Sequence, residues 1–235
     1  MRTIAFITQK GGAGKTTLAA SVAVAAAGAG EKVIAFDLDV QASLVHWGER
    51  RKGAHAPSGV LVEPLEVERL PRIRKIVKGV ADAGFTLAIF DTACGDGKTA
   101  GMVAEAADLC LLPARPTCLD VEATAATFRS LFLAKRSVAF VLNQCPPTHR
   151  SSRADLAALA LQRLGLLAPM LASRIDFQDA MAAGLGVTEH ASDGKSAQEV
   201  QALWRWVRDC LSRSEATARQ IETAAWVDGI VANVT

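Results

Sequence analysis

The stretch Gln9-Lys10-Gly11-Gly12-Ala13-Gly14-Lys15-Thr16-Thr17 limits this chain more than any other. It follows the apolar run Ile4-Ala5-Phe6-Ile7 and precedes Leu18-Ala19-Ala20-Ser21-Val22-Ala23-Val24, which reads as a helix. A strand, a glycine turn and a helix in that order form a phosphate cradle. Glycines let the backbone curl until successive N–H groups point inward at a β-phosphate, and the helix N-terminus adds its partial positive charge. Lys15 is then placed to neutralise the β- and γ-oxygens, and the Thr16 hydroxyl to meet Mg²⁺.

Strand and helix signals alternate almost from end to end, which predicts an α/β fold: a doubly wound, mostly parallel sheet with helices on both faces. A second strand, Lys32-Val33-Ile34-Ala35-Phe36, ends in Asp37-Leu38-Asp39-Val40-Gln41, and another, Thr86-Leu87-Ala88-Ile89-Phe90, ends in Asp91-Thr92. Further strands are predicted at 108–113, 137–144 and within 166–173, and helices from about Pro71, over 119–134, 154–164 and 197–211. Carboxylates at the carboxyl ends of buried strands sit where ligands bind in open α/β sheets. An apolar strand closing on aspartate is the Walker B pattern, in which Asp91 holds Mg²⁺ through water. The pair Asp37 and Asp39 has a second reading, since carboxylates at a strand end also cap the helix that follows.

Half of the 235 residues are apolar and 21% charged, so the chain is globular and long enough for a full core. A net charge of +2 means that any surface for nucleic acid has to be a local patch. Five cysteines (Cys94, Cys110, Cys118, Cys145, Cys210) contain no CxxC pair, and His46 and His55 stand at no metal-ligand spacing. Reduced thiols in a cytoplasm are the expectation, with Cys94 beside the phosphate site either a reactive thiol or a small filler. The start Met1-Arg2-Thr3-Ile4 enters the first strand directly, so no targeting peptide is expected. No apolar stretch reaches membrane-spanning length. On the helix after Pro71, Ile73, Ile76, Val77 and Val80 make a buried stripe; Arg72, Arg74, Lys75 and Lys78 read as its solvated face, or as a contact for DNA.

The general phosphate-loop pattern has a glycine where Gln9 stands, and a second lysine, Lys10, follows it here. This is the deviant Walker A motif, and with it the chain resembles the ParA/MinD/Soj family of P-loop ATPases, most closely the short plasmid-type ParA proteins. The resemblance covers about residues 1–211, the ATPase domain, and leaves 212–235 as a C-terminal tail. It implies ATP and Mg²⁺ as cofactors and hydrolysis of ATP to ADP and phosphate. It also implies that Lys10, Gly11, Gly12, Ala13, Gly14, Lys15, Thr16 and Thr17 hold the nucleotide, with Lys10 reaching across a homodimer to the partner's ATP. By the same resemblance Asp37 joins Thr16 and Asp91 around the metal, Asp39 positions the attacking water, and Asn143 recognises adenine. Two departures stand out: Val40 replaces a family proline, and Ala93-Cys94-Gly95-Asp96-Gly97 replaces the usual switch loop.

Three functions compete. One is a DNA-partition ATPase that dimerises on ATP, binds DNA without sequence preference and hydrolyses ATP when a ParB-like adaptor stimulates it. It would be cytoplasmic and associated with the nucleoid while ATP-bound. The family's DNA patch lies toward the C-terminus, where Arg174, Lys195, Arg205 and Arg208 are the candidates. Leu203, Trp206 and Val207 read as the buried stripe of the last helix, with Trp204 the odd one. A second function is a MinD-like or other cargo-positioning ATPase. Its membrane form is disfavoured because the tail from Glu215 carries Arg219 as its only base against Glu215, Glu222 and Asp228. A third, a metabolic or metal-carrier ATPase, is weakened by the missing cysteine pairs.

Overall fold

A sheet buried on both faces needs strands that are apolar at every position, because odd and even residues meet different cores. The computed structural model, which describes residues 1–54, 56–57, 59–147 and 152–212, has such a sheet. Its strands are β1 (Arg2–Phe6), β2 (Val33–Asp37), β3 (Val60–Pro64), β4 (Leu87–Asp91), β5 (Leu109–Ala114), β6 (Val138–Leu142) and β7 (Leu166–Leu167). All pairs are parallel, in the order β3-β2-β4-β1-β5-β6-β7. The expected doubly wound α/β sheet is therefore present. His55 and the tail beyond Ser212, with the charge pattern read from it, lie outside the described residues.

One face packs Ile4, Phe6, Ala35, Ile89 and Val141 against α1 (Lys15–Gly28), α2 (Ser43–Gly53), α7 (Ile175–Ala182), α8 (Val187–His190) and α9 (Lys195–Ser212). The intervening residues Ala5, Ile7, Phe36, Phe90 and Leu142 face α3 (Ile73–Asp82), α4 (Gly97–Ala104), α5 (Cys118–Leu133) and α6 (Ser152–Leu164). Helix α1 is buried along most of its length, from Lys15 to Ala26. Its alanines let strands and α9 approach closely, and each fully buried Leu or Val adds ~1.5–3 kcal/mol.

Several local expectations differ from the structure. Edge strand β3, helix α4 and the short helices α7 and α8 carry too few periodic residues to be legible alone. Pro64 is tolerated because it ends an edge strand. The strand within 166–173 contracts to β7 plus one bridge from Ala172 to Cys145. On α9 the assignment of the tryptophans reverses: Trp204 is buried against α1 and Trp206 is half-buried, because the α9 stripe follows Val200, Leu203, Trp204 and Val207.

The basic end of α2 also divides. Arg50 and Lys52 are exposed, but Arg51 is only 6% exposed. Its guanidinium meets Glu189 through Nη1–Oε2 at 2.7 Å and Nη2–Oε1 at 2.8 Å, and lies 5.5 Å from the centre of the Trp47 ring. Glu189 also accepts the Gly186 N–H at 3.0 Å, so one carboxylate caps α8 and holds α2. Gly184, at φ 72, lets the chain pass against the backbone of Arg50 and Arg51, where no Cβ fits.

Removing Glu189 leaves a buried guanidinium unpaired. Glu189→Ala is expected to cost ~3–5 kcal/mol in urea unfolding. Glu49→Ala, which breaks the exposed pair with Lys52, should leave the urea midpoint unchanged within error.

Candidate nucleotide-binding site

Strand order reverses around β1: the chain moves from β1 to β2 on one side and from β4 to β5 on the other. The loop leaving β1 therefore opens into the crevice where an open α/β sheet takes its ligand. Gly12 (φ 76) and Gly14 (φ 87) adopt left-handed conformations that carry the loop into α1. Helix α1 has no side-chain cap and no acidic residue in its first turn. Its leading N–H groups are thus left for a ligand, and the helix dipole favours an anion there.

Lys15 is 6% exposed, and its Nζ donates to the Cys94 thiol at 2.8 Å. Cys94 Sγ also lies 3.7 Å from the Lys10 carbonyl. The loop after β4 is therefore in direct contact with the phosphate loop, a link that the motif alone does not show. Its following helix, α4, is capped by Asp96, which accepts the Lys98 and Thr99 N–H groups at 3.1 and 3.0 Å.

The register of three strands sets the acidic end of the site. Phe6, Asp37 and Asp91 stand level across β1, β2 and β4. Asp91 is 1% exposed, its Oδ1 has no hydrogen-bond partner, and Thr16 donates a hydrogen bond to its carboxylate. Burial pushes the Asp91 carboxyl up to about 7, and the charges of Asp37 and Asp39 add to the rise; the Thr16 hydrogen bond and Lys15 oppose it. A buried carboxylate oxygen without a partner, beside a threonine hydroxyl, fits a hydrated divalent cation. Among the described residues no group of three or more His, Cys, Asp or Glu forms a cage, so such an ion would lean on phosphate oxygens, as Mg²⁺ does.

Asp37 is buried, and its carboxylate accepts the N–H groups of Asp39 at 3.0 Å, Leu44 at 2.8 Å and Val45 at 3.0 Å. The capping role for Asp37 is thus realised. Asp39 is half-buried and accepts the Gln41 N–H at 3.0 Å. Val40, in the place of the family proline, is 92% exposed at the turn.

Asn143 ends β6 and is 6% exposed. Its side-chain amide donates to the Ala13 carbonyl at 2.9 Å, and Gln144 donates to the Gly12 carbonyl at 2.9 Å. A side chain at Gly14 would strike the Asn143 amide, so Gly14 is required by packing as well as by φ. Beside these residues lies a cleft of about 450 Å³ lined by Thr16, Thr17, Asn143, Arg174 and Phe177 among others. That is ample for a nucleoside.

The four candidate DNA residues do not gather in one patch. Arg174 faces this cleft, and its Nη2 pairs with Glu199 at 2.7 Å. Lys195 starts α9, while Arg205 and Arg208 line a separate groove with Ala25 and Gly28 of α1. The helical rise puts ~20 Å between Lys195 and Arg208. The exposed bases Arg74, Lys75 and Lys78 belong to α3, with Arg72 just before it, on the opposite face of the sheet.

The model of the VirC1 protein family matches residues 1–216. The maintenance of carboxysome distribution protein A of Gloeobacter kilaueensis is 31% identical over 214 residues, spanning 90% of this chain and 94% of the relative. Among solved structures, apo McdA of Cyanothece superposes with a TM-score of 0.74 at 17% identity, covering 90% of this chain and 99% of that one. The septum site-determining protein MinD of Pyrococcus horikoshii, complexed with Mg-ADP, gives 0.70 at 19% identity, covering 88% and 95%. At these identities the two structures establish the fold.

Two outcomes follow from the site's chemistry. Because the Asp91 carboxyl is raised from 3.8 to about 7, the nucleotide-free native state keeps a proton that the unfolded chain releases. Its stabilisation is full below about pH 4 and is lost as pH rises through about 7, so unfolding free energy should decline across that window. Asp91→Asn should flatten the decline, measured by urea melts at a series of pH values. Second, maleimide at pH 7.5 should label Cys94 before Cys118, whose thiol is raised by the Glu122 carboxylate it bonds. Cys110 and Cys145, pushed up by burial to about 12 and about 11, should label only on unfolding, as peptide mapping would show.

Proposed function

This chain belongs to the VirC1 family of ParA/MinD-type proteins, and from that membership and the site's geometry we propose that it is an ATP-driven partition ATPase. On this reading it binds ATP with Mg²⁺, dimerises, and holds DNA without sequence preference. It hydrolyses ATP when a ParB-like adaptor arrives. The observation that carries the reading is the pairing of an uncapped α1 N-terminus and buried Lys15 with the unpartnered oxygen of Asp91. One end of the crevice favours triphosphate and the other favours its cation.

The chemistry divides among named side chains. Lys15 turns from Cys94 to the β- and γ-oxygens, and the N–H groups at the start of α1 take the β-phosphate. Thr16 and Asp91, with Asp37 behind them, would hold Mg²⁺, which supplies charge neutralisation to the phosphates when bound. Asp39, at the mouth of the crevice, orients the attacking water. Lys10 completes the partner's site and reduces repulsion between two facing triphosphates. Asn143 tethers the loop through Ala13 and borders the cleft that takes adenine. The protein would be cytoplasmic and nucleoid-associated while ATP-bound.

A second reading keeps this mechanism and changes the cargo. The relative from Gloeobacter is named for carboxysome distribution and spans nearly the whole chain, which favours positioning of a protein assembly as the alternative to a plasmid or chromosome. Among the described residues no helix is long and apolar enough to cross a membrane, and no membrane partner is proposed.

The test is retardation of two unrelated duplexes with ATP, with ADP and without nucleotide, across a salt series. Binding should need ATP, ignore sequence and fall steeply with salt, because phosphate contacts release counterions. Lys15→Ala should abolish it, and Asp39→Ala should prolong it by trapping the ATP dimer. Equal retardation in all three nucleotide states would refute the proposed cycle.

A further inference from the structure

Arg115 lies at the carboxyl end of the sheet immediately after β5, next to the phosphate loop, in a segment to which the motifs assign no task. Its Nε donates to Asp120 Oδ1 at 3.1 Å and its Nη2 to Asp120 Oδ2 at 3.3 Å. Asp120 is itself fixed: it is 3% exposed, it accepts the Thr117 hydroxyl, and its own N–H donates to Thr117 Oγ1 at 3.2 Å. Two of the three guanidinium nitrogens are therefore committed to a buried anchor at the start of α5.

The third nitrogen points at the loop. A methyl group built on Gly12 would lie 3.8 Å from Arg115 Nη1. The Arg115 side chain is 38% exposed. Gly12 lies between Lys10 and Lys15. The nucleoside-sized cleft is lined by Gly14, Thr16 and Thr17 and does not include Gly12. A phosphate chain that starts in that cleft and follows the loop therefore reaches Gly12 with its terminal group.

We propose that Arg115 is a γ-phosphate-reading residue: its Nη1 donates to the terminal phosphoryl group of the nucleotide in the loop, so that the site prefers ATP to ADP. This rests on the nucleotide reading above and deepens it. Lys15 and the α1 N-terminus serve the β-phosphate, which both nucleotides possess. A guanidinium at the crown of the loop adds a contact that only the triphosphate can fill. Asp120 acts as a positioning residue; it holds the fork in place so that little rotamer freedom remains to be lost on binding.

The experiment is calorimetric titration of the full chain with Mg-ATP and with Mg-ADP. Wild type is compared with Arg115→Gln, Arg115→Lys, Asp120→Asn and Lys15→Ala, each checked for native circular dichroism. Arg115→Gln should weaken ATP ~10–100-fold and ADP less than ~3-fold, as expected for loss of one charge-assisted hydrogen bond. Arg115→Lys should recover part of the ATP affinity, and Asp120→Asn should show the same selectivity at smaller size. Equal loss of both nucleotides in Arg115→Gln, or of neither, overturns the role of Arg115 while leaving the loop assignment intact. Failure of wild type to bind either nucleotide, or undiminished binding in Lys15→Ala, overturns the loop assignment itself and the proposal with it.

Discussion

Three parallel strands ending at one level set the geometry on which the rest of the crevice depends. β1, β2 and β4 pair in register, so the last residues Phe6, Asp37 and Asp91 form a row at the carboxyl edge of the sheet. Ladder hydrogen bonds fix that row, and a slip of one residue would send each carboxylate to the opposite face. The row then distributes its tasks by what each backbone leaves available. Asp37 accepts the N–H groups of Leu44 and Val45 at the start of α2 and of Asp39 in the turn before it, whereas Asp91 keeps an oxygen without a partner. Two aspartates at matching strand ends are thus engaged differently: one anchors the helix that follows, and the other keeps an oxygen available for a cation.

The phosphate loop is bordered on three sides by polar groups of different origin. Asn143 and Gln144 take its carbonyls at Ala13 and Gly12 from the β6 side. Cys94 meets Lys15 from the β4 side, and Arg115 overlooks Gly12 from β5. Carbonyl tethers fix the loop while leaving its N–H groups directed inward, which is the arrangement an anion requires. The contact between Lys15 and Cys94 has a different character. It joins the most important cation of the site to a loop that follows the metal-side aspartate, so movement of either side chain is felt by the other.

Away from the crevice, the helices of the α1 face are locked by a buried ion pair. Arg51 and Glu189 join α2 to α8, with Trp47 stacked beneath the guanidinium and its Nε1 donating to the Leu185 carbonyl at 3.2 Å. Such a pair gains little over an apolar replacement, because desolvation offsets most of the attraction. Its effect is one of placement. It anchors the last turn of α2 to α8, at the end of the helix away from the N–H groups that Asp37 accepts.

The sequence alone determined the architecture and the identity of the loop. Uninterrupted apolar strands alternating with helices allow few other folds, and the order strand, glycine turn, lysine, threonine is local chemistry that needs no distant partner. It also determined that Asp91 closes a buried strand. Tertiary structure decided everything that depends on residues far apart in the chain. Arg51 gains its partner only when folding brings Glu189, 138 residues away, to it. Trp204 and Trp206 lie about 200° apart around α9, so only one of them can face α1, and the packing selects Trp204. Asp37 and Asp91 look alike in sequence, and only the N–H groups of α2 separate them. Arg115 carries no signal at all until folding sets it beside Gly12, because a motif records spacing along the chain and not proximity across a sheet.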